Sequence, residues 1–204
     1  MTDTDHEVHP FPELKPVDAP RELDRFVAAM RRLQDIAVST NPDGALWAAA
    51  AERIEDLSAL LEVHRAPEGV APAGRAGHLP GLGHALMPPW TITESGRDGV
   101  VMQGHFSRYH VGGNNAVHGG VIPLLFDWHF GMIVSAAGRP NSRTAYLHVD
   151  YRKITPIDEP LVSRGRIDSI DGRKAFVTAT MTDSEGNILS EANGLMVRLL
   201  PHQP

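Results

Sequence analysis

Hydrophobic positions recur at more than one period along this chain, and each change of period marks a boundary. Leu23, Phe26, Val27, Met30, Leu33 and Ala37 fall at helical spacing. That helix starts near Pro20, with Asp18 as a candidate cap, and Asn41-Pro42-Asp43-Gly44 breaks it. Leu46, Trp47, Ala50, Ile54, Leu57 and Leu61 form the stripe of a second helix. Both predict packing on a body or on a partner subunit. Their polar faces carry both signs of charge, which speaks against a membrane surface. From Ala66 to Pro89 no period survives among the prolines and glycines, so this stretch reads as a linker, disordered or acting as a lid.

At Trp90 the period drops to two. Trp90–Thr93 and Val100–Phe106 flank Ser95-Gly96-Arg97-Asp98-Gly99, a hairpin pattern, and residues 109–117 read as a loop. Further strand runs are predicted over 144–152, 161–170, 174–182 and 188–199. Asp171-Gly172 and Asp183–Asn187 supply short turns between them, which implies antiparallel pairing. Between the two strand regions lies one helix, from Gly119 to about Ala137, with Pro123 in its first turn and Gly138 as its stop. It is apolar on nearly every side, so it belongs in a core. A sheet of five or six strands must then curl around it, an α+β architecture with an N-terminal helical extension. The implied organisation is an acidic tail over 1–19, helices over 20–65, a linker over 66–89 and the main domain over 90–204.

That central helix carries a single acid, Asp127, which the pattern expects to be buried and therefore costly unless it has partners or a task. At its N-terminus, Gly119 offers a backbone N–H, a helix dipole and no side chain in the way of a ligand. A carbonyl oxygen placed there would be polarised, and Asp127 would act as general base toward water or as nucleophile. Together these groups spell acyl transfer to water. Eight residues separate them, roughly 12 Å along a helix, so one chain's pair cannot flank one carbonyl carbon. Two antiparallel copies of the helix would bring one chain's Gly119 to the other's Asp127, so the active unit is expected to be at least a dimer.

Composition narrows the chemistry. The chain has no cysteine, which excludes thiolate nucleophiles, disulfides and cysteine-ligated zinc. The net charge of −6 shows no basic stripe, against nucleic-acid binding. Eleven scattered histidines form no ligand spacing, and no metal is expected. His129 and His148 read as structural, and His78 and His84 as exposed loop residues. The acidic N-terminus lacks the apolar stretch of a leader, and no run is long enough to span a membrane, so a cytoplasmic location is expected.

His118-Gly119-Gly120 with Asp127, then Thr144 to Tyr151 and Asp171-Gly172-Arg173-Lys174, resembles the hotdog-fold acyl-coenzyme A thioesterases. The likeness is to their phenylacetate-type (PaaI-like) branch, which includes mammalian thioesterase-superfamily members, and it covers about residues 90–200. It implies a hotdog fold and the hydrolysis of an acyl-CoA to a carboxylic acid and free coenzyme A. No cofactor is implied, and the active sites would lie between subunits of a homodimer or dimer of dimers. It further implies that Gly119 donates to the thioester carbonyl, that Asp127 is the catalytic acid, that His118 shapes the loop and that Thr144 assists from the neighbouring strand. Asn115, Gly120, Asp150, Arg152, Arg173 and Lys174 would border the substrate. Many relatives carry Gln or Asn fifteen positions before the acid, where this chain has Gly112; Asn114 and Asn115 are the candidate substitutes, with no aligned role carried over to either. Two rivals remain. An enoyl-CoA hydratase of the same fold would want a His where this chain has Met132. A non-catalytic acyl-CoA binder would not need the acid.

Overall fold

Helix α3 (Val121–Ala136) lies against a six-stranded antiparallel sheet in this computed structural model, which describes residues 17–67 and 69–200. The predicted acidic tail falls almost wholly outside the described residues. The strands are β1 (Thr91–Gly96), β2 (Gly99–Gly104), β5 (Ser142–Tyr151), β6 (Leu161–Asp171), β7 (Lys174–Thr182) and β8 (Ile188–Arg198). They pair in the order β1-β2-β6-β7-β8-β5, so β5 ends the sheet with one edge open. β3 (Val111–Gly113) and β4 (Ala116–Val117) form a separate two-stranded ribbon just before α3. That ribbon replaces the loop expected over 109–117. Its turn residues Asn114 and Asn115 both have positive φ, a conformation that asparagine tolerates better than most residues.

The core is built where the two periods meet. Along β7 alternate residues Ala175, Val177, Ala179 and Met181 point inward and are buried, as a strand with one covered face requires. Ile122, Leu125, Phe126, Phe130, Ile133 and Val134 of α3 pack onto them. Each such side chain contributes on the order of 1.5–3 kcal/mol of burial. The sheet covers α3 on one side only. Leu124, Gly131 and Met132 are half-buried and Asp127 is exposed, which corrects the expectation of a buried acid.

The buried polar residue of α3 is instead His129, fully enclosed. Its Nε2 lies 3.0 Å from the Val100 carbonyl and its Nδ1 lies 2.9 Å from Ser163 Oγ. A carbonyl can only accept, so Nε2 carries the proton and Nδ1 accepts from Ser163. Burial pushes the imidazole down to about 4. The unfolded chain, with an ordinary histidine near 6.5, then binds more protons than the folded one between those values. Stability is therefore expected to fall as pH drops from about 6.5 toward 4, by about 3 kcal/mol in all, and this contribution levels off below that. Urea unfolding across the window, with the ring followed by NMR, checks this; a His129 ring titrating near 6.5 would contradict it.

The N-terminal extension holds α1 (Arg21–Ala37) and α2 (Gly44–Glu62). Val27 of α1 packs with Ala76 and Leu79 from the Pro/Gly-rich stretch that follows α2. The half-buried Arg31 guanidinium donates to the carbonyls of Met87, Pro80 and His84 at 3.0, 3.0 and 3.3 Å. Residues 72–90 therefore follow a defined path, fastened to α1. His78 joins it through Asp24 at 2.9 Å, and His84 Nδ1 accepts the Leu86 N–H at 3.1 Å. Helix α2 starts with its Asp43 side chain capping the Leu46 N–H, but buries none of its residues.

Candidate active site

The Asp127 carboxylate meets one side chain. Thr144 Oγ1 donates to its Oδ1 at 2.6 Å, short enough for a charge-assisted bond. Thr144 comes from β5, where it pairs with the buried Met196 of β8 and so faces the helix. The other carboxylate oxygen has no hydrogen-bond partner among the described residues. Helix and neighbouring strand thus bring Asp127 and Thr144 together.

Gly119 sits at the other end of the same helix–strand pair. Val121 N–H donates to the His118 carbonyl at 2.9 Å, and the Gly120 N–H donates to His118 Nδ1 at 3.0 Å. His118 thereby takes up two of the orphan donors that a helix start presents. The Gly119 N–H has no acceptor among the described residues. Gly120 was expected to border the substrate, but its N–H is already committed to His118. The Gly119 carbonyl accepts from the Tyr151 hydroxyl at 2.7 Å. Tyr151 stands seven residues beyond Thr144 on β5, about 23 Å along a strand. By helix rise and by strand rise alike, Gly119 and Asp127 of one chain lie well apart.

Gly112 is a packing position. A side chain there would meet His118 Cα at 2.7 Å, so the Gln or Asn of relatives cannot be accommodated on this backbone. Asn115 does not stand in for it simply: its Oδ1 accepts from Arg108 at 3.0 Å, and its positive φ accounts for the residue type. At Gly119, by contrast, an added Cβ would come no closer than 3.8 Å to any atom of its own chain. Space within this chain does not demand a glycine there, and the backbone is left open to approach from outside.

The four residues expected to border coenzyme A fall into two groups. Arg152 pairs with Glu191 at 2.7 Å and Asp150 at 3.4 Å, and His148 reaches Asp150 at 3.4 Å. Asp150 pairs with Glu191 across the sheet and lies near its Tyr151 end. Arg173 and Lys174 stand at the β6–β7 hairpin, where Lys174 pairs with Val197 and Val197 with Arg143. The two groups are about 20 Å apart by strand rise. The hairpin end gathers more cations than sequence spacing revealed. Arg139 donates to the Gly172 carbonyl at 2.8 Å and Arg173 to that of Arg198 at 3.1 Å, so Arg139, Arg143, Arg173, Lys174 and Arg198 converge near the end of α3. Their charge also suits the negative pole of that helix terminus. Among the described residues no set of three His or acidic side chains is arranged to hold a metal ion, and no helix is long and apolar enough to cross a membrane. A groove of about 460 Å³ beside β1, β2 and β6 includes none of the candidate residues.

With this geometry in view, comparison with known proteins is informative. Residues 114–190 match the sequence profile of the thioesterase superfamily. The chain is 34% identical over 89 residues to the acyl-coenzyme A thioesterase THEM4 of Rattus norvegicus, a match covering 43% of this chain and 38% of that protein. It thus spans little more than a third of the length of that curated relative. A crystal structure of a thioesterase superfamily protein superposes with a TM-score of 0.74 at 27% identity, covering 90% of this chain and 97% of that one. That coverage exceeds what residues 90–200 alone can supply, so the likeness takes in much of the N-terminal extension. A hypothetical thioesterase from Streptococcus pneumoniae, solved with coenzyme A, superposes at a TM-score of 0.51 and 20% identity over 53% of this chain and 86% of its own. At that identity it supports the fold alone.

Proposed function

We propose that this chain, whose residues 114–190 belong to the thioesterase superfamily and whose helix and sheet form the hotdog fold, hydrolyses acyl-coenzyme A to a carboxylic acid and free coenzyme A. The observation that carries this is the Asp127 carboxylate, held by Thr144 on the uncovered face of an otherwise apolar helix. The working unit is a homodimer, alone or paired into a dimer of dimers. Its support is the open edge of β5, ten residues long, beside the uncovered face of α3. Two copies meeting there bring one chain's Gly119 to the other's Asp127.

In each such site the thioester oxygen accepts from the Gly119 N–H. Asp127 takes a proton from water, and the hydroxide adds to the carbonyl carbon while the C=O pair moves onto the held oxygen. The tetrahedral intermediate collapses, the C–S bond breaks, and the proton on Asp127 passes to the departing coenzyme A sulfur. These steps draw on water and the chain's own groups, with no metal or redox cofactor. The cations around Arg173 and Lys174 suit the phosphates of coenzyme A. The assignment to the phenylacetate-type branch and a cytoplasmic location belong to the same proposal and rest on the sequence.

A panel of short, long and aromatic acyl-CoA thioesters, with thiol release followed colorimetrically, tests the proposal. Turnover of at least one member is expected. Tight binding across the panel without turnover would overturn it in favour of a non-catalytic acyl-CoA binder.

A further inference from the structure

One peptide group at the mouth of α3 is held at both ends. The carbonyl of the Gly119–Gly120 peptide accepts from the Tyr151 hydroxyl at 2.7 Å, and its N–H donates to His118 Nδ1 at 3.0 Å. A planar peptide fastened at both ends cannot rotate. The N–H of Gly119 points at no acceptor among the described residues. It belongs to the preceding peptide, whose His118 carbonyl accepts from the Val121 N–H at 2.9 Å, and it is joined to the fixed plane through the two dihedrals of Gly119. Two consecutive glycines have no side chains to restrain their dihedral angles, so the loop depends on the hydrogen bonds made to it: His118 supplies those from within the loop, and one further restraint comes from outside it. Tyr151 supplies it from β5, the same strand whose Thr144 orients the Asp127 carboxylate. Within the single chain Tyr151 is 54% exposed, so packing inside the chain holds little of it.

We propose that Tyr151 is a positioning residue that holds the Gly119 N–H in line for the thioester oxygen; this rests on the hydrolase reading above. Tyr151 touches no reacting atom. It acts through the Gly119 carbonyl, and β5 thereby aligns both halves of the chemistry, the carboxylate through Thr144 and the oxyanion donor through Tyr151.

Tyr151→Phe keeps the ring and removes only the hydroxyl. Thiol release is expected to show kcat reduced roughly tenfold to hundredfold with KM within about twofold of wild type, because a misaligned oxyanion donor weakens the transition state and not substrate binding. Amide exchange at Gly120, read by NMR without substrate, is expected to run roughly fivefold faster. A wild-type kcat in Tyr151→Phe, or a change confined to KM, would overturn the inference. Wild type and Asp127→Asn are assayed alongside. If wild type releases no thiol from any ester, the hydrolase reading fails, and Gly120 exchange alone decides whether Tyr151 fixes the loop: unchanged exchange overturns that too.

Discussion

Asp127→Asn is expected to lower kcat by roughly 10²–10⁴ while leaving the fold and the oligomer unchanged. Asparagine has the shape of aspartate, and its amide oxygen still accepts from Thr144 Oγ1 as the carboxylate Oδ1 does. The position is exposed in the single chain, so no buried charge is created or lost. What disappears is the capacity to take a proton from water. Asn115→Ala is the fitting comparison, because Asn115 also lies near the start of α3. Its loss removes the bond to Arg108 and strains a residue at φ +57, a stability effect of order 1 kcal/mol with little bearing on proton transfer. Steady-state thiol release should rank Asp127→Asn well below Asn115→Ala; the reverse order would refute the role given to the acid.

Gly119→Val should be almost as damaging, by roughly 10²–10³ in kcat/KM, and again without unfolding the protein. The nearest atom to an added Cβ is the Tyr151 hydroxyl at 3.8 Å, an ordinary contact, and no left-handed backbone is required there. In the proposed mechanism the new side chain stands where the substrate carbonyl approaches the backbone N–H. Gly112 makes the contrast sharp. A side chain there collides with His118 Cα at 2.7 Å, so Gly112 substitutions should lower the melting temperature, whereas Gly119→Val should not.

Much of the fold can be read from periodicity alone. β7 alternates along its whole length, and the short turns on either side of it leave antiparallel pairing with β6 and β8 as the economical solution. The helix at Val121–Ala136 stands out because its apolar run is bounded by paired glycines and Gly138. Which of its faces is covered cannot be read the same way. Leu124 and Met132 on the open side look no different in sequence from Leu125 and Ile133 in the core, so Asp127 is mistaken for a buried acid. The β3–β4 ribbon escapes notice because only two or three residues flank its Asn-Asn turn, too few for a period to register. The order over residues 72–90 depends on Arg31, about fifty residues away, and composition carries no trace of that contact. The candidate site divides likewise. Asp127, Gly119 and His118 are conspicuous because they break an apolar pattern. Tyr151 is one aromatic among strand residues, where aromatics are common, and only its hydrogen bond to Gly119 sets it apart. The cations at the hairpin end are dispersed from Arg139 to Arg198 and meet only when β5, β7 and β8 pair.

The distance between Gly119 and Asp127 makes the central claim testable. If each site takes Gly119 from one chain and Asp127 from the other, two dead variants can repair each other. Asp127→Asn and Gly119→Val chains are co-expressed with different tags, the mixed dimers form, and thiol release is compared with each variant alone. A mixed dimer then holds one intact site and one doubly broken site. A random one-to-one mixture is expected to recover about a quarter of wild-type activity per chain, from two parents that have almost none. Activity no greater than that of the parents, with mixed dimers demonstrably present, would contradict a site built from two chains.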